Sequence, residues 1–540
     1  MLMADDDRVF GRYLEGERPN DFKTLSGLEL QAVYGPNGSE PAAEPGRYPF
    51  TRGIHPEMYR SRFWTRRQQS GYGTAQQSNE RLHYLLEQGQ TGLNINPDAA
   101  SHLGLDDHEL GEGDLGRQGT SLVTLDDMRE LLAGIPIEKV STTFNFRPPA
   151  SAVIVAMFLL IARERGVPWS ELRGTCTNCA LSQVVGPTMQ SNTHFFPVDF
   201  ALRIGTDVME FCASEMPRWN LLNINAYNIR ETGVNAIQEA GFAISLAIDY
   251  LERLVARGVA IDDFAPRVGF FTAVHIDFFE EIAKLRAMRR IWARLIRERF
   301  GATEDRSCWF RTAVQTSALP LTAQQPHNNI VRAALQTLAG VLGGCQSMHT
   351  TGWDEAYALP SEESHKLSLR TQQIVAFETN VVKTADPLGG SYFVEQLTDR
   401  LEQEILALVA DIDGRGGFVE VFKSGWIEDE INSARLDYWE KIESGDRPLV
   451  GVNIFEDQSE PPEAEFFELE RTTIDGRIAA IRARRATQRP GLEAALAALG
   501  SVAAGSENVM PAMMDAVAAG ATIGEIFAAC RDAIGFEVPE

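Results

Sequence analysis

The stretch "KVSTTFNF", residues 139–146, decides how the fold is read. Its β-branched and aromatic residues are those of a strand. Yet Ser141, Thr143 and Asn145 occupy alternate positions, and alternate residues of a strand share a face. A strand buried in a parallel sheet ordinarily runs through Val, Ile and Leu without interruption. One face of this strand is polar instead. The pattern recurs at Thr175, Thr177 and Cys179 in "RGTCTNC" (173–179), and at Gln315 and Ser317 in "FRTAVQTS" (310–317).

Outward from these lie five further β-prone runs: "TGLNIN" (91–96), "WNLLNINAY" (219–227), "RVGFFTAV" (267–274), "GCQSMHTT" (344–351) and "TNVVKTAD" (379–386). Amphipathic stretches such as "ASAVIVAMFLLIARERG" and "IDFFEEIAKLRAMRRIWARLIRERFG" separate most of them. Eight strands alternating with helices predict an α/β chain folded as a (β/α)8 TIM barrel. An open doubly wound sheet has fewer strands and a Gly-rich first turn, which is missing here. A barrel of this class fills its centre with bulky branched side chains. Small polar groups there leave atoms unpaired at a cost of a few kcal/mol each. The pattern therefore predicts an elongated polar occupant along the axis. The alternative is that these residues face the helices or pair with one another.

A second stretch is out of character with the whole. The 540-residue chain has 75 acidic and 50 basic residues, a net charge of -25. Yet "TRGIHPEMYRSRFWTRRQQSGYG" (51–73) holds Arg52, Arg60, Arg62, Arg66 and Arg67, interleaved with Met58, Tyr59, Phe63 and Trp64. The acidic balance argues against nucleic acid as a partner, because such a protein presents a basic face. A local cluster predicts a small polyanion; the alternative is a belt of surface ion pairs. Tyr59, Phe63 and Trp64 are each expected in the core.

Residues 1–45 read as an arm, rich in Pro and Gly at "YGPNGSEPAAEPGRYP". Residues 46–400 carry the barrel rhythm. Residues 401–540 turn helical, with an acidic linker "SEPPEAEFFELE" and Ala-rich helices suited to packing on a partner. No run of about 18 apolar residues appears, so no membrane span is expected. The N-terminus is acidic and polar, unlike a secretory signal. Six cysteines in 540 residues are no disulfide framework, so a cytoplasmic location is expected. The lone CxxC at 176–179 reads as two ordinary thiols. Glu280 and Glu281 read as solvated helix surface.

The motifs "YPFTRG", "MYRSRFWTRRQ", "DDFAPR", "QTS…LT…NN", "GGCQSMHT", "DEAYALP", "ADPLGGSY" and "VGVN" follow one another in a specific order. In that order and spacing the chain, from about residue 46 onward, resembles the adenosylcobalamin-dependent acyl-CoA mutases: the methylmalonyl-CoA, isobutyryl-CoA and 2-hydroxyisobutyryl-CoA mutases. The resemblance implies a barrel threaded by the pantetheine of CoA, and a radical exchange of groups between adjacent carbons. It implies CoA contacts at His55, Met58, Arg62, Thr65, Arg67 and Arg267, with Gln315 also on the substrate. It puts Glu231, Glu355, Ala356, Ala358, Leu359 and His102 beside the cofactor. Ala318 and Leu319 stand there in place of a Gly–Trp pair. His349, at a strand's end, is placed to approach the adenosyl group.

Several positions depart from the methylmalonyl pattern. Gln69 replaces an active-site tyrosine. Tyr227 is kept, but Asn228 replaces the histidine that bonds the thioester carbonyl. Thr177 replaces a glutamine. Asn96 stands where the hydroxyacyl enzyme has an aspartate. The segment that supplies an arginine for the substrate carboxylate reads "SQVVGPTMQSNTHFFP" and offers Gln190 or Ser191. A buried carboxylate without a cation is costly. These residues imply an acyl-CoA mutase for an uncharged polar acyl group, with Asn228, Tyr227 and Gln69 as catalytic positions. An inactive CoA-binding paralogue acting in regulation or assembly is the alternative. "DDHELG" (106–111) has the DxHxxG spacing of a cobalt ligand at His108, but it follows the first predicted strand instead of opening a separate domain. The cobalt ligand is therefore expected from a small cobalamin-binding subunit, two large subunits pairing in a heterotetramer, with no metal site in this chain.

Overall fold

The computed structural model describes residues 17–36, 43–106, 115–116, 119–181, 196–356, 360–457 and 470–537. Among these, ten strand segments form two five-stranded sheets, parallel throughout. The first is ordered β1 (Thr65–Arg66), β10 (Ser347–His349), β9 (Arg311–Thr316), β8 (Val268–Val274), β7 (Leu222–Asn225). The second is ordered β2 (Gln69–Ser70), β3 (Gly92–Ile95), β4 (Ser141–Phe144), β5 (Gly174–Cys176), β6 (Trp219–Asn220). Residues 65–70 thus contribute one segment to each sheet, and residues 219–225 do the same.

One expectation fails here. Residues 379–386 are not a strand. Asn380 has φ 63°, in the left-handed region, and a 3-10 turn follows over Val381–Lys383. Val382 is buried against the cluster of Tyr59, Phe63 and Trp64. The strand that was not foreseen lies in the arginine stretch itself, at residues 65–70.

Helices cross between successive strands because parallel neighbours need long connections. Ala75–Glu87 opens the series with a capping box, Thr74 accepting from the Gln77 N–H while Gln77 accepts from the Thr74 N–H. Alternation along β4 has the foreseen sense. Phe144 points to the helices and meets Phe158 edge-to-face at 5.2 Å. Thr143 and Asn145 point the other way, into a cavity.

The helix Ala150–Glu164 is buried nearly all round, as a helix without a polar face must be. Its outer side is covered by the C-terminal helix Met510–Ala518. The C-terminal helices therefore share one apolar core with the strands: Leu401, Ile405, Ile481, Leu499, Met513 and Phe527 belong to the same cluster as Phe144 and Leu93. Arg477 and Arg484 fasten the helix Arg471–Ala486 to Asp127 and Asp126.

All six cysteines are buried free thiols; Cys179 packs in the apolar core, whereas Thr175 of the same run lines the cavity. The expectation for Glu281 is also corrected. It is 0% exposed and bonds Lys284, which itself is buried. No helix of the described residues is long and apolar enough to cross a membrane.

Candidate active site

A cavity of about 300 Å³ opens between the two sheets. It runs from the first residues of β1 and β9, Thr65 and Arg311, to the last residue of β10, His349. Polar strand residues line it, among them Asn94, Thr143, Asn145, Thr175, Asn220 and Asn223, together with apolar groups such as Leu222, Phe270, Phe271, Val314 and Met348.

At the end where the strands begin, the cavity is basic. Arg67 reaches across to Ser141 Oγ (2.5 Å), Thr143 Oγ1 (2.7 Å) and the Leu93 carbonyl (2.9 Å). Burial, then the nearby Arg62 charge, lower its guanidinium to about 10. Arg311 is lowered to about 10 by burial and by Arg306, with its guanidinium 5.7 Å from the Trp309 ring. His55 packs edge-to-face on Trp309 at 5.1 Å. Its imidazole is pushed down by burial, then by Arg311 and Arg62. Among the described residues neither Arg62, Arg67 nor Arg311 pairs with a carboxylate.

The rest of the arginine stretch is spent on structure. Arg52 pairs with Asp386 at 2.8 Å, and Arg66 with Glu17 of the arm at 2.5 Å. Arg60 bonds the Lys383 carbonyl at 2.6 Å and covers the Phe22 ring at 3.7 Å. Met58 is buried in the turn Met58–Arg60. Arg267 lies away from the cavity lining. It caps the helix Val198–Glu215 through the carbonyls of Cys212, Ala213 and Met216, and bonds that of Asp263.

Toward the other end a chain of neutral groups closes round. Gln69 donates to Gln315 Oε1 at 2.7 Å, and Asn96 donates to Gln69 Oε1 at 3.1 Å. Asn145 donates to Asn94 at 2.9 Å and to Asn96. Thr177 donates to Asn145 Oδ1 at 3.2 Å. Gln69, Asn96, Thr177 and Gln315 are brought together, with Asn145 as the link between them. Asn228 sits apart, its backbone N–H held by Asn225 Oδ1 at 3.0 Å. Asn145 was singled out with the polar face of its strand, whereas Asn94 and Arg311 were not. Asn94 carries the same period-two signal in "TGLNIN", and Arg311 opens the strand "FRTAVQTS".

Beyond the strand ends lie two carboxylates. Glu231 accepts from Ser317 Oγ (2.5 Å), the Ala318 N–H (2.9 Å) and the Leu319 N–H (3.1 Å). Burial pushes it up to about 7 against those bonds. Burial, with Asp354 and Glu231 nearby, pushes Glu355 up to about 8. Tyr227, whose ring centroid is 5.3 Å from that of Phe271, is driven well above its usual range by burial and by these carboxylates. Ala356 is exposed. His102, in the helix Ala99–Leu103, stacks on Phe146 at 6.2 Å. Gln190, Ser191, Ala358, Leu359 and His108 lie outside the described residues. No cluster of three His, Cys, Asp or Glu suited to a metal occurs among the described residues.

The sequence model of the family described as methylmalonyl-CoA mutase matches residues 23–536. The 2-hydroxyisobutanoyl-CoA mutase large subunit of Aquincola tertiaricarbonis is 39% identical, over 94% of this chain and 91% of that protein. The methylmalonyl-CoA mutase of Cereibacter sphaeroides is 36% identical over 97% of this chain and 74% of its own length. The human mitochondrial methylmalonyl-CoA mutase is 35% identical, over 97% and 70%. With a match across nearly its whole length, the chain belongs to the methylmalonyl-CoA mutase family of acyl-CoA mutases, isomerases that depend on adenosylcobalamin.

Proposed function

We propose that this chain is the catalytic subunit of an acyl-CoA mutase whose substrate is not methylmalonyl-CoA but carries an uncharged polar acyl group, such as a hydroxyacyl. The neutral chain Gln315–Gln69–Asn96–Asn145–Thr177 is the observation that carries this reading. A carboxylate in that layer would lose its hydration to amides alone, whereas a hydroxyl finds both donors and acceptors.

The two sheets read as halves of one closed (β/α)8 barrel, since residues 65–70 and 219–225 each contribute to both. CoA then lies along the axis. Arg62, Arg67 and Arg311, with His55 and Thr65, hold its phosphates, because guanidinium pairs well with phosphate oxygens and stays charged. From Arg311 to Gln315 is four strand steps, roughly 13 Å, so the nucleotide and the acyl group sit at opposite ends. Met58 and Arg267 support the rim from behind. Gln190 and Ser191 complete the acyl pocket.

Glu231 and Glu355 fit a cofactor bearing hydroxyl and amide groups. With carboxyls near 7 and 8, each is able to donate as well as accept. They would hold adenosylcobalamin together with His102, Ala318, Leu319, Ala356, Ala358 and Leu359. When bound, that cofactor supplies a cobalt–carbon bond that opens homolytically. Tyr227, kept neutral, closes the layer between substrate and cofactor, and Gln69 and Asn228 orient the acyl group. The amide layer exchanges no proton near neutral pH; His349 beside it is lowered to about 3. That suits a rearrangement in which hydrogen moves as an atom. We place the cobalt ligand on a small cobalamin-binding subunit, contacted by residues 401–540, in a heterotetramer with two large subunits in the cytoplasm.

The test is to reconstitute the chain with such a subunit and offer 2-hydroxyisobutyryl-, isobutyryl- and methylmalonyl-CoA, resolving isomers by chromatography. Turnover is expected with the hydroxylated thioester. Methylmalonyl-CoA as the best substrate would overturn the reading. The pair Gln69→Tyr and Asn228→His is expected to leave methylmalonyl-CoA unturned, since it restores no cation.

A further inference from the structure

His349 ends β10 and lines the cavity while only 4% exposed. Its Nδ1 accepts the Gln69 N–H at 2.9 Å. A neutral imidazole that accepts at one nitrogen carries its proton on the other. Burial lowers this ring to about 3, so it is neutral at any working pH. The proton therefore sits on Nε2. That atom has no acceptor among the described residues, yet it is not one of the side-chain atoms buried without a partner. It opens into the cavity.

Its surroundings leave this donor available. His349 is the register neighbour of Gln315 on β9, so it lies level with the amide chain. Asn145 gives amide hydrogens to Asn94 and Asn96, Gln69 gives one to Gln315, and Thr177 gives its own to Asn145. These groups satisfy one another, whereas His349 Nε2–H faces open space.

We infer that His349 is a substrate-contacting residue whose Nε2–H donates to the carbonyl oxygen of the thioester, with the Gln69 backbone fixing the tautomer that makes it a donor. This rests on the acyl-CoA reading above. It adds a contact that orients the carbonyl and draws electron density toward oxygen, away from the carbon that bears the migrating group.

The test compares butyryl-CoA with butyl-CoA, a thioether lacking the carbonyl, as ligands of the full chain. The natural chain is expected to bind the thioester about tenfold more tightly, the scale of one hydrogen bond to a group otherwise left unsatisfied. His349→Asn keeps an acceptor for the Gln69 N–H but does not reach the Nε2 position, so it should lose the preference and leave affinity for free CoA unchanged. His349→Gln carries its amide to the Nε2 position and should keep the preference. With 1-13C-butyryl-CoA, the infrared carbonyl stretch should shift down on binding to the natural chain and to His349→Gln but not to His349→Asn. A His349→Asn chain that retains both the preference and the shift overturns the inference while leaving the acyl-CoA reading intact. A natural chain that binds neither CoA nor its thioester removes both.

Discussion

Two of the charged clusters among the described residues are built on opposite terms. Behind β8, Lys284 bonds Glu239 at 2.6 Å, Glu281, and the Ala273 carbonyl at 2.8 Å. Arg230 adds its charge 3.7 Å from Glu239 and 3.5 Å from Glu281. Two cations and two carboxylates are thus closed off together, and Glu239 also takes the Ala273 N–H at 2.8 Å. Arg67 and Arg311 in the cavity lining, and the exposed Arg62 whose charge is felt at Arg67, have no carboxylate among the described residues, although burial already lowers Arg67 and Arg311 to about 10. A buried cluster that neutralises itself serves the fold. A cluster left with excess charge beside a cavity is completed only by a ligand. Even within one stretch both terms occur: Arg66 is matched by Glu17 and Arg52 by Asp386, while Arg67 spends its hydrogen bonds on neutral groups.

The comparison breaks most visibly at its compensated half. Lys284→Met leaves two carboxylates buried with Arg230 alone, and the expected loss is about 3–5 kcal/mol in urea unfolding, the scale for removing one partner of a buried pair. A loss under about 1 kcal/mol would show that the quartet does not hold the strand end.

The carboxylates beyond the strand ends form an intermediate case, accepting hydrogen bonds but holding surplus negative charge. Their folded values, near 7 and 8, lie above the ordinary 4.5. The folded chain therefore binds more protons than the unfolded one between these values. Their stabilising contribution is complete below about pH 4.5 and declines as pH rises through 7 and 8, by about 1.4 kcal/mol per pH unit for each group. Glu355→Gln should flatten the fall in stability between pH 5 and 8, read from thermal midpoints across that range. An unchanged slope would mean that Glu355 ionises as it does in the unfolded chain.

The smallest effect sharpens the uncompensated half. Arg67→Met should weaken CoA binding roughly tenfold and reduce its salt dependence, with a smaller change in the urea midpoint than Lys284→Met. Arg66→Met, one residue away, should loosen the arm at Glu17 and leave CoA affinity unchanged. Equal effects of the two on CoA binding would erase the distinction between paired and unpaired arginines.

Much of this was legible along the chain because strand faces are a local property. Ser141, Thr143 and Asn145 announce a polar face whatever they pack against, and the cavity lining follows from it. Thr177 and Gln315 were legible from the same alternation, and Gln69 and Asn96 from resemblance to a known family. Less legible were elements whose identity depends on neighbours. Residues 65–70 contribute two-residue segments to different sheets, too short to register as a strand among arginines. Val381 and Val382 look like strand residues, but Asn380 turns the chain and Val382 fills an apolar cluster instead. Glu281 reads as helix surface until Lys284 and Arg230 are seen against it.

The sequence by itself determined the alternation of parallel strands with helices, and the polar side those strands turn inward, since both rest on periodicities of two and 3.6 residues that need no partner. Only the tertiary structure decided which arginines are matched, that Asn145 links the amides, and that the His349 proton lies on Nε2. Those depend on groups far apart in sequence, and a charge or a tautomer is set by what stands within hydrogen-bond reach in space.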